Sequence, residues 1–153
     1  MKLSRDLREF IELLNSCAVE YVVVGGHAVA YHGYPRYTGD IDFFIRPTED
    51  NARRLLEVFD RFGFGGVGIT RDDFTTPDRI VQLGLPPNRI DLVTGITGVT
   101  FDEVWASRVA ANLDGIPVCL IGKAELLRNK RASGRAKDLA DIEGIEGDGE
   151  LDA

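Results

Sequence analysis

The stretch Tyr21-Val-Val-Val-Gly-Gly-His-Ala-Val-Ala-Tyr-His-Gly33, followed seven residues later by Asp40-Ile-Asp42, decides how this chain is read. Val19 to Val24 is a β-branched run, the pattern of a buried strand. Gly25-Gly26 turns the chain, residues 27–32 have room for a short helix, and Gly33 with Pro35 stops it. Asp40 to Ile45 then reads as a second strand. Side chains at i and i+2 of a strand share a face, roughly 6.5–7 Å apart, so Asp40 and Asp42 hold two like charges together. Such a pair calls for a cation, and oxygen-only ligands suit a hard one such as Mg²⁺. A glycine turn before a helix offers backbone N–H groups to phosphates. Together the two features point to phosphoryl or nucleotidyl transfer.

Working outward, the same reading extends through the chain. Ser4 is placed to cap a helix over residues 4–16, with Leu7, Phe10, Ile11, Leu13 and Leu14 at helical spacing. Pro47 and Thr48 open a helix running to about Phe62, and the glycine-rich stretch 63–68 ends it. Ile80 to Leu85 and Arg89 to Val93 flank Pro86-Pro-Asn88 as a hairpin, and Val109 to Leu113 and Ile116 to Ile121 flank Asp114-Gly115 as another. Phe101 to Ala106 reads as a short helix, and residues 122–132 and 135–143 as two more, parted by Gly134. This order predicts an α/β (α+β) fold with one mixed, mostly antiparallel sheet backed by helices.

Length and composition set bounds. The 153 residues fit one domain, expected over 1–143. Residues 144–153 carry four acids and no base, and are expected to form an acidic tail without order. No apolar run has the length of a membrane span and the N-terminus lacks an apolar signal region, which makes the cytoplasm the expected location. Cys17 and Cys119 have no metal or redox spacing and read as free thiols. The net charge of −7 is unevenly spread, because residues 123–137 carry six bases against Glu125 alone. A local cationic surface for a triphosphate or RNA is compatible with that distribution.

The residues Gly25-Gly26, Arg36, Thr38, Asp40 and Asp42 resemble the motif of small nucleotidyltransferases of the DNA polymerase β superfamily, in their toxin-like and uncharacterised Gly-Gly…Asp-x-Asp branch. The match is sharpest over residues 21–46, with weaker support at 88–94 and 117–142. The resemblance implies a polymerase β-like core. It implies metal binding and catalysis by Asp40, Asp42 and a third carboxylate, Asp91, in Arg89-Ile-Asp-Leu-Val93. It further implies nucleotide contacts from Gly25, Gly26, Arg36 and Thr38, with Mg²⁺ (or Mn²⁺) and an NTP, ATP being the expected donor. The C-terminal segment with Lys130, Arg135, Lys137-Asp138 and Asp141 is similar to the helical end of that family, and Lys137 and Asp141 are spaced for an i, i+4 pair.

Each assignment has a plainer counterpart. Asp91 lies among apolar residues and needs a partner, which an ion pair with Arg89, Arg79 or a helix residue would supply. Gly25-Gly26 is equally a structural turn. Arg36 can serve a phosphate or Asp40. His27 and His32 lack helical metal spacing, and one of Tyr31, Tyr34 and Tyr37 could stack on a base. The expected function is metal-dependent transfer of an NMP group from an NTP to an acceptor hydroxyl on a protein, a tRNA or a small molecule. The acceptor would bind on the C-terminal helices, across a homodimer or on a partner protein. The alternative is a catalytically weak or partner-dependent binding protein of a toxin–antitoxin-type pair. A metal-dependent phosphohydrolase would need the His-rich motifs that this chain lacks.

Overall fold

The computed structural model describes residues 2–35, 39–63, 68–84 and 89–151. In chain order these form α1 (Arg5–Ser16), β1 (Tyr21–Val24), α2 (Gly25–Tyr31), β2 (Ile41–Ile45), α3 (Glu49–Phe62) and α4 (Asp72–Thr75). There follow β3 (Ile80–Leu83), β4 (Ile90–Val93), α5 (Phe101–Ala106), β5 (Val109–Leu113), β6 (Ile116–Leu120), α6 (Lys123–Ser133) and α7 (Ala136–Leu151). The six strands make one sheet in the order β3-β4-β2-β1-β6-β5. Its β1–β2, β3–β4 and β5–β6 pairings are antiparallel, and β1–β6 and β2–β4 are parallel. The expected mixed, mostly antiparallel sheet is therefore present. Among the described residues no helix is long and apolar enough to cross a membrane.

Local signals set the helix boundaries. Ser4 caps α1 by accepting from Leu7 N, and Thr48 caps α3 by accepting from Asn51 N. Gly63 ends α3 in the left-handed conformation. Thr100 and Glu103 form a reciprocal capping box on α5. Short α4 was not among the expected elements, since four residues are too few to show a helical period.

Alternation along β2 divides the sheet into two working faces. Ile41, Phe43 and Ile45 point one way, where Phe43 lies 5.9 Å from Phe10 of α1 and Phe10 lies 6.0 Å from Phe59 of α3. Phe44 points the other way and meets the edge of Phe101 of α5 at 5.2 Å. Phe43, Phe44 and Ile45 are all buried, whereas Asp42 is half-buried. The strand thus carries its acids at the end where apolar cover runs out.

The C-terminus departs from expectation. Where an acidic tail without order is expected from residue 144, α7 continues to Leu151. Ile145 is fully buried, and a Cβ on Gly144 would overlap the ring of Tyr34. One apolar side chain and one close approach anchor the start of a segment that otherwise looks too polar to dock. Ile145→Ala should therefore cost about 2–4 kcal/mol, the usual price of truncating a buried aliphatic residue. Guanidinium denaturation of the two proteins checks this; equal midpoints would show that the segment does not dock.

Candidate active site

The parallel pairing of β2 with β4 places Asp42 directly beside Asp91, with Val24 of β1 and Gln82 of β3 completing the row. Asp91 is buried, and Asp42 is in side-chain hydrogen-bonding contact with it. Burial is the main force that raises the Asp42 carboxyl to about 7, and the contact with Asp91 and the charges of Asp91 and Asp40 add to it. Arg89 opposes the rise only weakly. Two carboxyls in contact inside a partly dry site stay charged together only when a cation joins them; otherwise they share a proton.

Among the described residues, Arg89 is a cation that meets this cluster. Its Nε donates to Asp91 Oδ1 at 2.9 Å and its Nη2 to Asp91 Oδ2 at 3.1 Å, and the same Nη2 lies 3.2 Å from Asp40 Oδ2. Of the two arginines weighed as partners for Asp91, Arg89 is therefore the one it has. Arg79 instead pairs with Asp73 at 3.2 Å. Among the described residues no three His, Cys, Asp or Glu side chains converge in a geometry that could hold a metal ion. The donor set still fits a hard divalent cation in its chemistry. It is all oxygen, anionic, and contains one carboxyl driven toward protonation by burial and by its acidic neighbours.

Gly25 forms the floor beside this pair. It is the first residue of α2, takes φ +70°, and approaches so closely that a Cβ there would overlap the Asp42 carboxylate. The glycines expected as a turn before the helix are in fact its first two residues.

The site opens into a cleft of about 360 Å³ that reaches from Gly25 and Asp42 to Lys130, Ser133 and Arg135 of the C-terminal segment, with Ile80, Val93 and Ile96 as its apolar side. Lys130 is buried and pairs with Asp138 and Asp141, each at 3.2 Å. The expected pairing of Lys137 with Asp141 is corrected accordingly. Asp141 turns into the interface between α6 and α7 and meets Lys130, a contact that spacing within one helix cannot reveal. Burial would push the Asp138 carboxyl up, but Arg135 and Lys130 outweigh it and hold it down at about 2. Arg135, whose side chain is 70% exposed, reaches Asp138 through Nε at 2.7 Å and extends from there along the cleft.

Other expected positions fall elsewhere. Arg36 and Thr38 lie outside the described residues, as does Tyr37. His32 Nε2 is 2.7 Å from the carbonyl of Ile121, tying the end of α2 to the end of β6. His27 is buried, which lowers its pKa, and among the described residues its Nδ1 has no hydrogen-bond partner. Tyr34 packs on Gly144, and Tyr31 is exposed with its ring edge-on to His32. The cleft residues Ile80, Ile96 and Asn129 escaped the sequence reading, because nothing in their local pattern distinguishes a cleft wall from an ordinary strand or loop.

The chain belongs to the family described as nucleotidyl transferase of unknown function (DUF2204), whose model matches residues 3–148. The resemblance read from residues 21–46 holds at that level. Among solved structures, the lincosamide antibiotic adenylyltransferase LnuA, in a crystal structure with lincomycin bound, is similar with a TM-score of 0.52 at 14% identity, covering 95% of this chain and 98% of that one. An antigenic nucleotidyltransferase-like protein from Paracoccidioides brasiliensis aligns at a TM-score of 0.49 and 17% identity, over 94% of this chain and 77% of that one. No curated protein matches the sequence. The likeness to LnuA concerns the fold alone.

The raised Asp42 carboxyl predicts a specific pH dependence. Its folded-state value lies above the ordinary 3.8, so the folded protein holds the proton more tightly. That contribution to stability is complete below about pH 4 and is lost as pH rises through about 7. In metal-free buffer the wild-type melting temperature should therefore fall between about pH 5 and about pH 8, while Asp42→Asn lacks this component. At the upper pH the variant should melt higher by about 3 °C or more, the equivalent of roughly 1 kcal/mol in a domain of this size. Parallel melting curves for the two proteins would overturn the assignment.

Proposed function

We propose that this member of the nucleotidyl transferase family moves an NMP group from an NTP, with ATP as the expected donor, to a hydroxyl of an acceptor. The acceptor oxygen bonds to the α-phosphorus, the bond from that phosphorus to the bridging oxygen breaks, and pyrophosphate leaves. The observation that carries the reading is Asp42 set beside Asp91 on adjacent strands, at the foot of a cleft that runs to Lys130 and Arg135.

Asp40, Asp42 and Asp91 would hold Mg²⁺ or Mn²⁺. When bound, the ion supplies positive charge to the phosphates and eases loss of the acceptor proton. The chain's own groups divide the remaining work. Asp42 is nearest the glycine floor, where backbone N–H groups of Gly25 and Gly26 would meet phosphate oxygens. Arg135 extends from the opposite wall with a guanidinium suited to phosphate. Asp91 would accept the acceptor proton or hold the ion that makes it acidic. The apolar side formed by Ile80, Val93 and Ile96 offers surface for a base or for an apolar part of the acceptor. The LnuA structure, of a lincosamide antibiotic adenylyltransferase, has lincomycin bound, and a small molecule is one acceptor class to test here, beside tRNA and protein.

Asp91→Asn separates transfer from simple binding. The variant should keep most affinity for Mg²⁺–ATP yet lose transfer by about 10²-fold or more, the scale of a missing general base. Calorimetry with Mg²⁺–ATP, label transfer from radioactive ATP into a cell lysate, and melting are measured on one preparation. Transfer that falls only in step with the folded fraction would make Asp91 a structural residue and defeat the reading.

A further inference from the structure

We propose that Arg89 is the resident counter-ion of the carboxylate cluster and competes with the divalent cation for Asp40 and Asp91. The inference rests on the metal-dependent reading above. Arg89 precedes Asp91 by two positions, immediately before β4, and its side chain meets that of Asp91. Its backbone carbonyl accepts from Ile41 N at 3.1 Å, which fixes it opposite the acidic end of β2. The guanidinium then engages both Asp91 oxygens, at 2.9 and 3.1 Å, and reaches Asp40 at 3.2 Å.

Two-pronged pairing with a carboxylate is the strongest form of this contact, and it occupies the oxygens that a metal would use. A divalent ion ligated by the same carboxylates would sit within a few ångströms of a fixed positive charge. At that range repulsion is large enough, even at a surface-like effective dielectric, to weaken binding by an order of magnitude or more. Arg89 also explains why Asp40, Asp42 and Asp91 share one corner of the sheet without converging: two of them are turned to the guanidinium.

The consequence is an order of arrival. The ion alone gains too few ligands to displace Arg89. The ion with a triphosphate brings further oxygens, and it gives the displaced guanidinium another anion to pair with. Metal binding is thereby coupled to nucleotide binding by one side chain. A purely structural Arg89, holding β2 to β4, would behave oppositely, because its loss would loosen the carboxylates and weaken metal binding.

The test titrates Mn²⁺ into wild type, Arg89→Met and Arg89→Lys, with and without ATP. Heat and the electron paramagnetic signal of free Mn²⁺ report binding, and melting is followed in parallel. Mn²⁺ alone should bind Arg89→Met about tenfold or more tightly than wild type. Arg89→Lys, which keeps the charge without the fork, should fall between them. The Met variant should melt lower than wild type without Mn²⁺ and recover with it. Should that variant fail to fold, Arg89→Lys decides alone. Mn²⁺ affinity equal to or weaker than wild type in the folded variants overturns the proposal. If wild type itself binds no Mn²⁺ even with ATP, the metal-dependent function falls as well. If wild type binds Mn²⁺ with ATP while the variants' affinity for Mn²⁺ alone is unaltered, only the role of Arg89 falls.

Discussion

Asp42 beside Asp91 is the constraint around which this molecule is organised. Two adjacent parallel strands bring the carboxyls into contact, one of them buried and the other half-buried. Like charges at that separation repel in proportion to the local loss of water. Every neighbouring feature can be read as a response. Arg89 brings a guanidinium to Asp91 and Asp40, Gly25 withdraws its side chain altogether, and the cleft leaves the opposite side open. A chain selected only for stability would replace such a pair with apolar residues, since a poorly compensated buried charge costs more than it contributes. Its presence in an otherwise well-packed sheet is a physical argument for chemistry at that point.

The rest of the fold keeps this costly corner rigid. Phe43 and Phe44 follow the acid immediately and anchor opposite faces of β2, one under α1 and α3 and the other under α5. The aromatic contacts of Phe10 with Phe43, Phe59 and Phe62 tie the two long helices to that strand. Sheet order matters too. Because β2 lies between β1 and β4, one row of register partners carries the helix-initiating turn after Val24, Asp42 and Asp91 side by side. Three segments distant in sequence therefore meet without any loop having to place a side chain.

What could be read in the sequence was what depends on short range. The strand Asp40 to Ile45, the caps Ser4 and Thr48, and the Asp114-Gly115 hairpin each declare themselves within a few residues, through alternation, side-chain oxygens or a positive φ. Asp91 could be found by resemblance, and its pairing with Arg89 was one of several ion pairs that the sequence left open, beside Arg79 or a helix residue. The adjacency of Asp42 and Asp91 could not be read off, because parallel register between strands separated by α3 and β3 is a tertiary fact. The same holds for Asp141, which spacing assigned to Lys137 and packing assigns to Lys130. Composition misled at residues 144–147, where one acid and two glycines outweigh the single Ile145 in any average. In the fold it is that one buried side chain, with the glycine under Tyr34, that holds the segment.

The far wall of the cleft completes the electrostatic argument. Counted from sequence, residues 123–137 are strongly basic. Counted from structure, Lys130 and Arg135 share Asp138, and Lys130 also holds Asp141, so these four groups are neutral as a set. The wall therefore offers oriented donors rather than a broad positive field. A triphosphate entering such a cleft cannot rely on long-range attraction from a chain of net charge −7. Its charge has to be met at close range, by cations that arrive with it or are released where it lands. On the proposed reading the carboxylate corner has the first kind of need and Arg89 is placed for the second, so that nucleotide and metal would be bound as a unit.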